Sequence, residues 1–208
     1  MPRLRQLMIV IMTLIATGVA TAKDFDEGIE YVRIKPSVPT TSTGKIEVVE
    51  MFWYGCPHCF QFEPYLHKWL KKKPANVEFV RIPATFYPLW KLHARAYYTA
   101  EVLGVLDKLH KPMFEAYHLK KNRLDSAKAL RKVFAKHGVK GSDFDDVFHS
   151  FAVETKLARA VDLTQRYGIS GVPSMIVNGK YRTSNKISGH SNMLEVIDFL
   201  IRKESKRH

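Results

Sequence analysis

The sequence predicts an α/β fold carrying an all-helical insertion, and three observations support it. A strand pattern at 46–53 passes into a helical one and returns to a strand pattern at 77–82. Residues 86–160 keep helical spacing with no convincing strand. A strand, an Asn-Gly turn and a second strand then follow at 172–183, before a closing helix. Two halves of an α/β unit thus flank a helical insert, with no internal repeat or low-complexity segment.

The first 22 residues stand outside the fold. Arg3 and Arg5 precede an apolar stretch from Leu7 to Val19 that ends in Ala20-Thr21-Ala22, the pattern of a cleaved secretory signal peptide with Lys23 as the first mature residue. Its apolar core of about 13 residues is short of the roughly 20 that cross a bilayer. The expectation is export without membrane insertion. Lys23 to Ile34 opens the mature chain, and Lys35 to Lys45, with Pro36, Pro39 and a Thr/Ser/Gly cluster, reads as a loop.

Ile46 to Trp53 is rich in Val and aromatics without clean alternation, as in a strand covered on both faces. After Gly55 the period changes: Phe62, Leu66, Trp69 and Leu70 recur at helical spacing, giving a helix from about Cys56 to Lys73 that stops before Pro74. Val77 to Ile82 closes a strand-helix-strand unit with a right-handed crossover by default. This first part of the fold covers 23–85.

In the insert, 86–160, Tyr97, Ala100, Val102 and Leu103 support one helix, and Met113, Phe114 and Tyr117 another. Leu130, Val133 and Phe134 mark a third, closed by Gly138. Ser142 offers an N-cap for a stretch holding Phe144, Val147, Phe148 and Phe151, whose aromatics read as helix-packing core. The second part, 161–208, begins its strands at Val172 to Val177, turns at Asn178-Gly179, and returns through Lys180 to about Thr183. A last helix begins near Asn192, where Glu195 makes a capping-box-like start, and buries Leu194, Ile197 and Phe199 to Ile201.

The charge balance is +13, with 33 Lys and Arg against 20 Asp and Glu, and removing Arg3 and Arg5 leaves +11. Such a surface attracts polyanions in principle. The basic residues are scattered, however, and the longest run, Lys71-Lys72-Lys73, sits at a helix end where cations are solvated and favoured by the dipole. No nucleic-acid partner is expected. Two cysteines are too few for an exported domain held by disulfides, and a loop closed by Cys56 and Cys59 constrains little of the unfolded chain. Their purpose is chemical.

A Cys-x-x-C in the first turn of a helix brings two sulfurs within disulfide reach and exposes the first to unpaired backbone N–H groups. These donors favour a thiolate at Cys56, with an acidity well above that of an ordinary thiol at about 8.5. Pro57 suits the first helical position, and His58 adds stabilisation. A stable thiolate favours the dithiol form, so the disulfide is an oxidant. A substrate thiolate attacks Cys56, expels Cys59 and forms a mixed disulfide, which the substrate's second thiolate then resolves. Zinc would need four ligands, and neither a second Cys pair nor a His-x3-5-His appears, which disfavours a metal site. Glu50, a carboxylate inside a covered strand, is pushed up in pKa by desolvation and suits proton exchange with Cys59. The alternative is an ion pair with a basic residue of the neighbouring strand such as Arg81, and both can hold together.

Cys56-Pro57-His58-Cys59 resembles the active site of the DsbA family, periplasmic thiol:disulfide oxidoreductases of the thioredoxin superfamily. "CPHCFQFEP" continues as that family does, Glu50 falls where its buried acid lies, and "GVPSMIVNGKY" is similar to its second active-site segment. The resemblance spans essentially the whole mature chain and implies a thioredoxin fold with an inserted helical subdomain. It also implies a cis Val172-Pro173 bond facing the disulfide, where backbone pairs with an extended substrate. Further implications are reduced exported polypeptides as clients, reoxidation by a quinone-coupled membrane partner of the DsbB type, a monomeric periplasmic enzyme, and no cofactor. Arg81 stands where relatives can carry Lys, keeping the charge. Competing readings are an isomerase or reductase, of which isomerases commonly add a dimerisation domain not read here before the first strand, and a peptide-binding chaperone using an apolar surface near Trp53, Met175 and the insert.

Overall fold

A computed structural model describes residues 23–188 and 190–206, so the expected signal peptide lies outside the described residues. In chain order the elements are β1 (Val32–Arg33), β2 (Ile46–Phe52), α1 (Pro57–Leu70) and β3 (Val77–Pro83). The insert holds α2 (Pro88–Val102), α3 (Leu106–His118), α4 (Ala127–Lys136), α5 (Gly141–Phe148) and α6 (Phe151–Arg166). Then come β4 (Ser174–Val177), β5 (Tyr181–Ser184), a single turn α7 (Asn185–Ser188) and α8 (His190–Ser205). The five strands form one sheet in the order β1-β5-β4-β2-β3, with β2 parallel to β3 and antiparallel to β4.

All seven residues of β2 are buried, as a strand without polar alternation requires. Val48 packs with Phe62 and Leu66 of α1 and with Val196 and Leu200 of α8. Val49 and Met51 belong to a second cluster that continues through the insert to Phe114, Phe134 and Leu163. Because side chains alternate along a strand, Glu50 shares the α1-facing side of β2 with Val48. Helix α1 ends at Leu70 rather than reaching Lys73: Trp69 is its last buried residue, and Lys72 N–H bonds Trp69 O in a tighter turn. The lysines beyond have no apolar face to continue the helix.

The insert is helical throughout, as expected, and α6 runs without interruption across residue 160. Two details differ from expectation. Ser142 is inside α5, where its hydroxyl donates to Asp143; the extended residue at the helix start is Lys140. Ser150 caps α6 instead, accepting from Val153 N–H at 3.4 Å, and splits the aromatic stretch in two. Phe151 is therefore the first residue of a new helix and is 87% exposed, not core.

In the second part, Asn178 and Gly179 adopt φ of 53° and 62°, the left-handed pair at the centre of a turn closed by Lys180 N–H on Val177 O, within a three-residue connection between β4 and β5. A side chain at 179 would also meet Val38 O at 1.9 Å. Strand β4 begins at Ser174, two residues later than expected, leaving Val172 and Pro173 in a bend. The two-residue β1, paired antiparallel with β5, is too short to show any period in sequence. Helix α8 starts at His190, so Asn192 lies inside it and forms no cap. Burial of Met193 on the same stripe as Val196, Ile197 and Leu200 holds that first turn in the helix.

Candidate active site

Cys56 is the N-cap of α1 in extended conformation, and Pro57 takes the first helical position, where its missing N–H costs nothing. The approach is set by Gly55: a Cβ there would lie 2.3 Å from the indole of Trp53, so a larger residue would have to displace that ring. Trp53 is in turn stacked on Trp90 of the insert at 4.2 Å. Both cysteines are free thiols. Cys56 Sγ accepts from Cys59 N–H at 3.4 Å and donates to Val172 O at 3.3 Å. Cys59 is 0% exposed while Cys56 retains 7%, so a client reaches only the first sulfur.

The two thiols are driven apart in acidity. Cys56 falls to about 7, first through its hydrogen bond with the Cys59 side chain, against burial, with the backbone N–H groups of Cys59 and His58 and the His58 charge adding to it. Burial pushes Cys59 well above the ordinary thiol value, reinforced by Cys56 and by the charge of Glu50. The helix-end donors expected from sequence are present. The larger influence, the neighbouring thiol, follows from how the pair is packed.

Glu50 pairs in register with Arg81 of β3, whose Nε donates to Glu50 Oε2 at 2.9 Å. Oε1 of Glu50 is buried without a hydrogen-bond partner. Burial raises the Glu50 carboxyl to about 8, opposed by Arg81 and helped by Glu63 and Cys56. Both sequence readings of Glu50 are therefore compatible: it has its ion pair and stays protonatable near neutrality. Arg81 is shared, because its Nη2 also lies 3.3 Å from Glu63 of α1. Glu63 follows Cys59 by four residues, a helical spacing that could have marked it as a neighbour. His110 of α3 lies beyond it, with Nε2 3.5 Å from Glu63 Oε1 and Nδ1 3.0 Å from the Tyr54 hydroxyl. No local sequence pattern points to His110, since only the docking of the insert brings it there.

The Val172-Pro173 peptide is cis, and these residues border, with His58, Gly171, Asn185 and Lys186, a groove of about 380 Å³ beside the sulfurs. Of the apolar surface expected near Trp53 and Met175, Met175 is 0% exposed, sealed between β2 and β5 and facing the core beneath the sheet. Among the described residues no group of three or more His, Cys, Asp or Glu is arranged to hold a metal ion, and no helix is long and apolar enough to cross a membrane.

Comparison with known proteins gives one consistent result. A family model described as DSBA-like thioredoxin domain matches residues 89–200. The thiol:disulfide interchange protein DsbA of Pseudomonas aeruginosa is 41% identical over 186 residues, 89% of this chain and 88% of the relative. That of Azotobacter vinelandii is 42% identical over 182 residues, 87% of this chain and 85% of the relative. The crystal structure of Pseudomonas aeruginosa DsbA superposes with a TM-score of 0.84 at 40% identity, covering 88% of this chain and 96% of that one. The Xylella fastidiosa oxidoreductase DsbA gives 0.82 at 34% identity, covering 87% and 98%.

Proposed function

The chain belongs to the DsbA family of thiol:disulfide oxidoreductases, and from that premise we propose that its Cys56-Cys59 disulfide passes to reduced exported polypeptides through a mixed disulfide at Cys56. The observation that carries the reading is the asymmetry of the two sulfurs: Cys56 is the acidic, reachable one, and Cys59 is sealed and weakly acidic.

A client thiolate attacks Cys56 Sγ of the disulfide, forming a new S–S bond and expelling Cys59 as a thiolate. Burial makes that thiolate costly, and it takes the proton held by Glu50, a carboxyl raised to about 8 and so largely protonated at neutral pH. The client's second thiolate then attacks its own sulfur in the mixed disulfide and expels Cys56, a good leaving group at a pKa of about 7. Two electrons have moved to the enzyme's sulfurs, and the client holds the disulfide. No cofactor takes part.

Val172 and Pro173 form the docking edge in this reading. The carbonyl of Val172, 3.3 Å from Cys56 Sγ, lies where an extended client segment would run past the sulfur. His58 sits on the same groove and assists the Cys56 thiolate. The signal-like start at 1–22, the family and the export logic of disulfide formation support a periplasmic monomer reoxidised by a quinone-coupled membrane partner of the DsbB type.

Cys56→Ser tests the reading. The variant is expected to lose all oxidation of a reduced two-cysteine peptide while keeping its fold. Oxidation that persists in the variant would overturn it.

A further inference from the structure

The redox centre contains an arrangement that disulfide exchange alone does not require. Two carboxylates, Glu50 and Glu63, share one guanidinium: Arg81 Nε bonds Glu50 Oε2 at 2.9 Å, and Arg81 Nη2 lies 3.3 and 3.4 Å from the two oxygens of Glu63. One cation compensates one anion, so in this partly desolvated cluster one of the two acids is the natural holder of a proton. Which of them holds it decides whether the proton lies beside Cys59 or out toward the insert.

His110 breaks that symmetry. Its ring is enclosed by Phe52, Tyr97 and Phe114, with centroids at 5.2, 6.1 and 5.3 Å. Tyr54 O–H stands 3.0 Å from Nδ1, and Nε2 lies 3.5 Å from Glu63 Oε1, a buried nitrogen within ion-pair range of that carboxylate but without a formed hydrogen bond. If Nδ1 carried the ring proton, a lone pair would point at a carboxylate. The favourable arrangement has Tyr54 O–H donating to Nδ1 and leaves the proton on Nε2, where Glu63 is the acceptor within reach. The charged and titratable groups around His110 are few: Tyr54 after β2, Glu63 on α1, Arg81 on β3, Tyr97 on α2 and Asp107 on its own helix. Burial favours the neutral ring, and neutral imidazole is a donor that adds no charge to the cluster.

We propose that His110, carried by the insert, is a positioning residue of the redox centre: oriented by Tyr54, its Nε2–H holds Glu63 as the carboxylate and so assigns the shared proton to Glu50, beside Cys59. The inference rests on the proton role given to Glu50 above. The insert thereby contributes to the chemistry of a centre whose reacting atoms all lie on the other part of the fold. When the disulfide opens, the proton moves from Glu50 to Cys59, and in the reduced protein Glu50, not Glu63, is the acid that takes up a proton again from solvent.

The test follows carboxyl ¹³C shifts of Glu50 and Glu63 against pH in the reduced protein, beside the pH profile of peptide oxidation. In His110→Phe the Glu63 titration is expected to move up and that of Glu50 down, by about one pH unit, the scale of a single hydrogen bond to a charged group. The low-pH limb of the oxidation profile should move with Glu50. His110→Gln, whose amide can still donate, should recover much of the shift, and in a Glu63→Gln background His110→Phe should leave Glu50 unmoved. Should His110→Phe fail to fold, Tyr54→Phe keeps the ring and removes only its orienting partner; the same shifts at smaller size are expected. Glu50 and Glu63 titrating as in the wild type in the folded variants would overturn the proposal. Glu50→Gln separates the two layers: if it leaves the oxidation profile unchanged, the proton role of Glu50 fails, whereas a changed profile with no carboxyl shift in the His110 variants sinks only the inference.

Discussion

Glu47 and Glu50 lie three residues apart on the same strand, both buried, and they are solvated by the protein in different ways. Glu47 Oε2 accepts from Thr41 N–H, the Thr41 hydroxyl and the Ser42 hydroxyl, at 3.0, 2.8 and 3.1 Å. Those donors belong to one loop, so the carboxylate fastens the loop to the start of β2. Glu50 has one donor, and that donor is divided with Glu63. The difference teaches that burial alone does not make a carboxylate a proton carrier. A buried acid with a full set of donors is an anchor; one with an incomplete and shared set keeps both protonation states within reach.

The largest expected effect comes from removing the shared cation. Arg81→Met leaves Glu50 buried without its partner, a loss of roughly 3–5 kcal/mol where the carboxyl is ionised. Because the neutral acid tolerates burial, the loss should shrink as pH falls. Urea titrations at pH 5 and pH 9 would read it, and equal destabilisation at both would mean that Arg81 acts by packing. Glu47→Gln is the matched control: it should weaken the loop by about 1–3 kcal/mol and leave the pH profile of oxidation where it was.

A second prediction concerns the slope of stability with pH in the reduced protein. The Glu50 carboxyl lies at about 8 when folded against an ordinary 4.5, so the folded state binds more protons between those values, and stability falls as pH rises through that window. Cys56 has the opposite sign: its thiol lies at about 7 when folded against 9 when free, so stability is gained as pH rises from about 7 to 9. Glu50→Gln should remove the first slope and expose the second. Urea midpoints from pH 4 to 9 would show this, and a Glu50→Gln curve parallel to the wild type would break the contrast with Glu47.

The smallest effect belongs to His58. Its charge is last in order among the influences on Cys56, behind the Cys59 thiol and the backbone donors of α1. His58→Pro is expected to raise the Cys56 pKa by less than about one unit, read as thiolate absorbance against pH. A larger shift would place the imidazole nearer the centre of the mechanism than the geometry does.

Much of the fold and of the site is legible in the amino-acid sequence. The redox pair, the proline that opens the helix, the buried acid with Arg81 as its partner, and the hairpin at Asn178-Gly179 all depend on neighbours in sequence or on strand pairing that a strand-helix-strand pattern nearly forces. Where expectation and structure differ, the deciding contact is not local. Aromatics at helical spacing usually face a core, which predicts Phe151 inside, yet Ser150 starts a new helix there and turns the ring to solvent. An apolar surface that includes Met175 is ruled out by pairing on both sides, since β2 and β5 seal that residue between them.

The sequence by itself marked out the proposed chemistry: the pair of sulfurs, the one at the helix start as the point of attack, and an acid buried near them, because each follows from residue type and from periods of two or 3.6. The tertiary structure alone decided how that chemistry is tuned. Glu63, Tyr54 and His110 come from three separate segments, and their arrangement around the Glu50–Arg81 pair depends on distances of 3.0 to 3.5 Å that no sequence spacing fixes. Electrostatic interaction inside a protein varies steeply with separation and burial, and both are set only once the insert has docked on the sheet.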